Sequence, residues 1–219
     1  MPGNPDQPRD SKGRWTKKAG GTVGAIIAGL VVASSGGATT ASVGTSLETS
    51  VAQRATQAKT TKTSKNTARK GDVRGALNRM GLRKLRHEVS RDLPCVAQSY
   101  GEVQQYFLRH PCKRLQQRLF PVADAEGNVI AVSLMWVRMP SWSSASGLKK
   151  VEDEYGTGDV IPFGTQLLGF GGVRFTAKHY DSQQRGAMLT IAEAEPVRGN
   201  PSNAFLDSVA SVVVELPPP

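Results

Sequence analysis

Hydrophobic and polar positions divide this chain into three regimes. The first is a single apolar run, Val23 to Ala33 (VGAIIAGLVVA), inside an uncharged stretch that extends from Ala19 to Leu47. The second, Thr49 to Lys70, is Thr- and Lys-rich, has no aromatic residue and holds few large apolar ones. Such a composition buries too little surface to offset its ordering entropy, so a flexible linker is expected there. The third begins at Asp72, where periodic patterns take over. Val73, Ala76, Leu77 and Met80 recur at helical spacing, and Leu85 and Val89 continue less regularly. With Asp72 as a cap, this predicts an amphipathic helix over 72–90, its other positions basic: Arg74, Arg79, Arg83, Lys84 and Arg86.

Further on, Ser99-Tyr-Gly-Glu102 has the form of a capping box, followed by Val103, Tyr106 and Phe107 on one face. That helix should end at His110, before Pro111. Leu115–Ala123 and Val129–Met139 read as strands joined through Glu126-Gly127-Asn128, an antiparallel hairpin. Ser141 can cap a helix running to about Tyr155, and a loop-like stretch with one turn at Thr165 to Leu168 follows. Val173–Tyr180 and Ala187–Val197 are expected to form a second hairpin through Asp181 to Gly186. The alternation of Arg174, Thr176 and Lys178 with Val173, Phe175 and Ala177 implies one wet sheet face. Ser202 or Asn203 caps a last helix, Ala204 to about Val214, with Phe205, Leu206, Val209 and Val213 inward.

The order α-ββα-ββα predicts an α+β domain with a four-stranded antiparallel sheet and helices on one face. Four segments result: a basic N-terminal piece at 1–18, the apolar segment at 19–47, a basic flexible linker at 48–91 that carries the helix over 72–90, and the α+β domain at 92–219. Everything before the domain is expected to be a mostly disordered basic arm with one apolar helix.

Charge reinforces that division. Residues 1–91 hold 17 of the 28 Lys+Arg and 5 of the 18 Asp+Glu; residues 92–219 hold the other 11 and 13. The overall +10 therefore belongs to the N-terminal part. Lys12, Arg14, Lys17 and Lys18 precede the apolar run and small residues follow it, the layout of a secretory signal. Ala19 to Ala38 could instead supply the length of a weak membrane anchor, with small residues four apart and Trp15 placed as an interfacial residue. A Gly/Ala-rich segment outside any membrane is the third reading. The basic-residue bias favours the N-terminus inside and the C-terminal domain outside.

Candidate chemistry is sparse. Two cysteines, Cys95 and Cys112, bracket one short helix. Outside the cytoplasm they are expected to form a disulfide worth about 3 kcal/mol in the chain-entropy model. With three histidines and no CxxC pair, no zinc-site spacing is present. No nucleophile elbow, P-loop, metalloprotease or calcium-loop motif occurs. Gly169-Phe170-Gly171-Gly172 precedes a strand and reads as a turn. Glu152, Asp153, Glu154 and Asp159 read as a solvated acidic face. Trp136 is placed in the core, and Trp142, just after a strand, is a candidate partner contact. No catalytic, cofactor or metal residue is assigned. The expectation is a non-enzymatic, membrane-anchored or exported protein whose extracytoplasmic domain binds a protein or envelope component. The alternative is a cytosolic protein that binds nucleic acid or another polyanion through its basic arm.

Overall fold

The computed structural model describes residues 44–85, 88–154, 156–162 and 173–219. Residues 1–43, with Trp15 and most of the 19–47 segment, lie outside them, as do Arg86, the 165–168 turn and the Gly169–Gly172 run. Among the described residues no helix is long and apolar enough to cross a membrane.

The fold is α+β, and its core strand is the one the sequence marks most strongly. β5 (Val129–Arg138) pairs antiparallel with β4 (Arg114–Ala123) on one side and β8 (Met188–Arg198) on the other. β7 (Tyr180–Arg185) closes one edge through β8. At the other edge β1 (Arg83–Lys84) and β2 (Val89–Leu93) both pair with β4. The sheet therefore has six strands, in the order β1-β4-β5-β8-β7 with β2 alongside β4, instead of the expected four. A separate two-stranded ribbon joins β3 (Ser99–Tyr100) to β6 (Gly158–Val160).

Helices cover both faces of the sheet, which corrects the one-face arrangement. Phe120, Val122, Ile130, Val132, Leu134 and Trp136 share one face and pack with α1 (Gly44–Arg69), α2 (Val73–Arg79) and α5 (Asn203–Val213). Leu115, Met135, Val137, Leu189 and Ile191 share the other and pack with α3 (Gly101–Arg109) and α4 (Trp142–Glu152). β5 alternates between the two cores, so nearly every residue of it is buried.

Four further expectations are corrected locally. The helix predicted over 72–90 stops at Arg79. Gly81 takes a positive φ of 73°, Leu82 N–H donates to Leu77 C=O and Gly81 N–H to Asn78 C=O, the paired bonds of a Schellman ending, and Leu82 is buried. The linker at 49–70 is helical as α1. Its Ser64 and Ala68 are fully buried, because a second helix face, and not its own apolar content, supplies the packing. β2 crosses the expected 91/92 boundary, so the sheet draws on both sides of it. Finally, Val173–His179 is not a strand, and the expected turn at 181–186 is β7 itself, joined to β8 by the two-residue loop Gly186-Ala187. α4 stops at Glu152, three residues before its predicted end, β3 and β6 add to the expected elements, and the others fall within a residue or two of their predicted ends.

Candidate interaction surfaces

Buried polar groups explain why the segment before β7 is irregular. Leu189, Ile191, Glu193 and Glu195 alternate onto one face of β8. Both carboxylates are buried and accept hydrogen bonds from a crossing backbone: Thr176 N–H to Glu195 Oε1 at 3.0 Å and Ala177 N–H to Glu193 Oε2 at 2.9 Å. Ala177 takes φ 55° there, the one non-glycine residue with positive φ among those described. Beneath, Gln117 Nε2 donates to Ser133 Oγ at 3.0 Å, both side chains fully buried. These acids hold a loop across the sheet. The spacing of Glu193 and Glu195 on the inward register was the one signal available in the sequence.

On the α3/α4 side, Ser141 caps α4 as expected, in a reciprocal capping box with Ser144. Ser99 does not cap α3; Tyr100 occupies that position, and Ser99 Oγ donates to Cys95 C=O at 2.8 Å. Gly101 and Gly158 meet at the bridge between ribbon and helix. A Cβ on Gly158 would lie 2.1 Å from Tyr100 O, and both glycines have positive φ, so no other residue fits. α3 and α4 are tied by Tyr106 O–H, which donates to Ser144 C=O at 2.9 Å; burial holds this phenol above its usual range. The acidic cluster divides. Glu152 is buried, with Val160 N–H donating to its Oε1 at 3.4 Å, whereas Asp153 accepts from Tyr180 O–H, Ser182 and Lys149. The solvated-face reading is corrected for these two residues.

Cys95 and Cys112 form a disulfide, with Cα atoms 6.4 Å apart. Residues 95–98 form turns that bring the chain back beneath α3, and both cysteines join the core under that helix. Trp136 is core, its Nε1–H donating to Leu216 C=O at 3.0 Å. Trp142 is exposed at 64%, as the sequence implied. It has company that sequence reading missed: Tyr100 (54%), Leu108 (57%) and Ile161 (42%). Tyr100 and Ile161 fall two register positions apart on the same side of the β3–β6 ribbon, since Tyr100 pairs with Asp159 and Ile161 N–H donates to Gln98 C=O. All four lie on or beside the α3/α4 layer.

Compared with known protein families, curated proteins and solved structures, this chain matches none.

The basic residues predicted for one helix are distributed over two kinds of element. Arg74 and Arg79 are exposed on α2. Arg83 and Lys84 belong to β1, where Lys84 pairs with Glu88 and lies 5.2 Å from the Phe120 ring centre. On α1, Lys59 and Lys62 face solvent, opposite the buried Ser64 and Ala68, and Lys70 follows on the same side. The C-terminal tail packs into the same core through Val214 and Leu216. Its buried Glu215 is bound by Arg69 through two hydrogen bonds of 3.0 and 2.7 Å, and by Arg185.

A groove of about 480 Å³ opens between α1 and α5, lined in part by Thr61, Lys62, Lys65, Asp181 and Asp207. Beside it the buried His179 shares a hydrogen bond with Asp207, Nδ1 to Oδ1 at 2.8 Å. The nearby Ser208 and Ser211 hydroxyls both donate to backbone carbonyls of α5, so neither is paired with a base as a nucleophile would be. Among the described residues no cluster of His, Cys, Asp or Glu is arranged to hold a metal ion.

Proposed function

We propose that this chain is a non-enzymatic protein, exported or anchored in a membrane by the apolar segment within 19–47. Its extracytoplasmic α+β domain binds a protein or envelope component. The observation that carries this reading is the Cys95–Cys112 disulfide in a chain with no other cysteine. Such bonds persist in oxidising compartments and are rare where glutathione keeps thiols reduced. The charge layout around Val23–Ala33 agrees, with Lys17 and Lys18 before it and no charge until Glu48. The binding surface is the α3/α4 side, where Trp142, Tyr100, Leu108 and Ile161 keep apolar area in water at no benefit to the fold.

The test is fractionation of the expressed chain with thiols trapped at lysis. A C-terminal reporter should be active only outside the cytoplasm. The chain should resist alkaline extraction, or appear in the medium with a new N-terminus, and Cys95 and Cys112 should be unreactive to the trap. Full recovery in the soluble cytosolic pool with two free thiols would overturn the reading.

The basic face of α1 favours a second reading, a cytosolic polyanion binder. Its signature is nucleic-acid binding whose affinity falls steeply and linearly on a log–log plot against salt.

A further inference from the structure

Several cations of the N-terminal part gather on one layer of the described molecule. α1, α2 and α5 form one layer, which carries Lys59, Lys62, Lys65, Arg69, Arg74 and Arg79, with Lys70 between α1 and α2. Between Glu48 and Asp72 the chain has no acidic residue, and Asp72 is committed to capping α2 through Gly75 N–H at 2.8 Å. Within α1 the packing decides which cations are free to act. Ser64 and Ala68 point into the core, and Arg69 is bound to Glu215. Lys59, Lys62 and, just past the helix end, Lys70 lie on the opposite, exposed side with Asn66 between, Lys62 also standing at the rim of the groove toward α5. This stripe begins about 22 Å along a helix that starts at Gly44, only 11 residues after the apolar run ends at Ala33.

We infer that the outer face of α1, formed by Lys59 and Lys62 and continued by Lys70 just past its end, docks on the headgroups of anionic phospholipids and seats the domain with its α3/α4 face turned away from the bilayer. The inference deepens the membrane reading above and rests on it for the choice of partner. Three observations support a lipid surface over other polyanions. The stripe is one-sided, opposite the buried Ser64 and Ala68. It has no aromatic residue on which a base could stack: none occurs between Trp15 and Tyr100. It also lies close in sequence to the apolar run Val23–Ala33. Cations near a negatively charged leaflet each gain on the order of fivefold in association, and the gain decays within a Debye length. The four exposed apolar residues fall on the layer across the sheet from α1, where a seated domain would present them to a partner.

The experiment uses the full chain mixed with vesicles of phosphatidylcholine alone or with added phosphatidylglycerol. An impermeant lysine-acetylating reagent is applied briefly and each site is read by mass spectrometry. Lys113 and Lys150, both exposed and on or beside the α3/α4 layer, serve as internal references. The expected result is a fall of about fivefold in labelling of Lys59, Lys62 and Lys70 relative to the references in anionic vesicles, absent in neutral ones and abolished near 1 M salt. Equal labelling ratios on both vesicles would overturn the inference. Protection by duplex DNA without protection by anionic vesicles would also overturn it and assign the stripe to nucleic acid. Flotation on neutral vesicles tests the apolar anchor separately. A chain that floats on neutral vesicles without stripe protection leaves the membrane reading standing and removes this one.

Discussion

Single side chains decide more here than their sequence context implied. Glu215 is the clearest case. It lies in an apolar C-terminal run, yet it is buried and receives guanidinium groups from α1 and β7. Replacing it by Ala leaves Arg69 and Arg185 without their acceptor, but both are about half exposed and can rehydrate, so the cost sits at the lower end for a broken buried pair. Glu215→Ala should lose about 2–3 kcal/mol in urea unfolding, and Arg69→Ala about 1 kcal/mol. A loss below about 0.5 kcal/mol for Glu215→Ala would mean that the pairing adds nothing over hydration. Asp124 gives a pH-dependent case. Burial pushes its carboxyl up, but hydrogen bonds from the Asn128 side chain at 2.6 Å and backbone at 2.8 Å outweigh this and hold it below the usual carboxylate range. A depressed folded-state value contributes stability above the unfolded value, about 3.9, and loses it as pH falls through the folded one. Asp124→Asn should therefore be less stable than the parent at pH 6, with the difference shrinking as pH falls below the usual carboxylate range. A gap that stays constant over that range would place the effect in the turn's shape and not in its charge.

At the scale of elements, the errors of sequence reading share one cause. Residues 49–70 cannot bury enough surface alone, and 72–90 looks continuous because Leu85 and Val89 keep an approximate helical period. In the fold, α1 gains a partner in α5 and α2, and Gly81 ends α2 so that β1 and β2 can add to β4. β2 covers half of β4, from Leu115 to Leu119, and α1 and α2 complete one of the two cores. A fragment of residues 92–219 should therefore fail to fold cooperatively, whereas 44–219 should show a single unfolding transition by calorimetry. A well-folded 92–219 fragment would return α1, α2 and β2 to the status of a tether. The buried run in β5, apolar on both faces, was a legible sign that helices cover both sides of the sheet. It competed with the alternation at 173–178, which comes from a loop pinned by Glu193 and Glu195 and not from a strand.

For the whole molecule, the disulfide bears on stability. Cys95 and Cys112 close a loop with a sequence separation of 17, worth about 3 kcal/mol in the chain-entropy model. In a domain of this size that corresponds to a drop of about 6–12 °C in Tm on reduction or in Cys112→Ser, with the far-ultraviolet spectrum unchanged at 25 °C. An unchanged Tm would mean that α3 is held by packing alone. Trp142→Ala should shift Tm by less than about 2 °C, since exposed positions seldom alter stability by more than about 0.5 kcal/mol; a larger loss would make Trp142 a packing residue and not a contact.

The sequence by itself determined the α+β class, the β4–β5 hairpin, the Ser141 cap, the end of α3 at His110 and the exposure of Trp142, and it narrowed the last cap to Ser202 or Asn203 and made a Cys95–Cys112 bond the expectation outside the cytoplasm. Each of these follows from interactions within about twenty residues, which leave their pattern in local order. Only the tertiary structure decided that α1 is part of the domain, that six strands build the sheet, that Glu193, Glu195 and Glu215 are buried, and that Lys59, Lys62 and Lys70 share an exposed face. Those outcomes depend on partners far away in the chain: Arg69 meets Glu215 across 146 positions, and Trp136 meets Leu216 across 80. A segment's own composition records what it can bury, but not what another segment will bring to cover it.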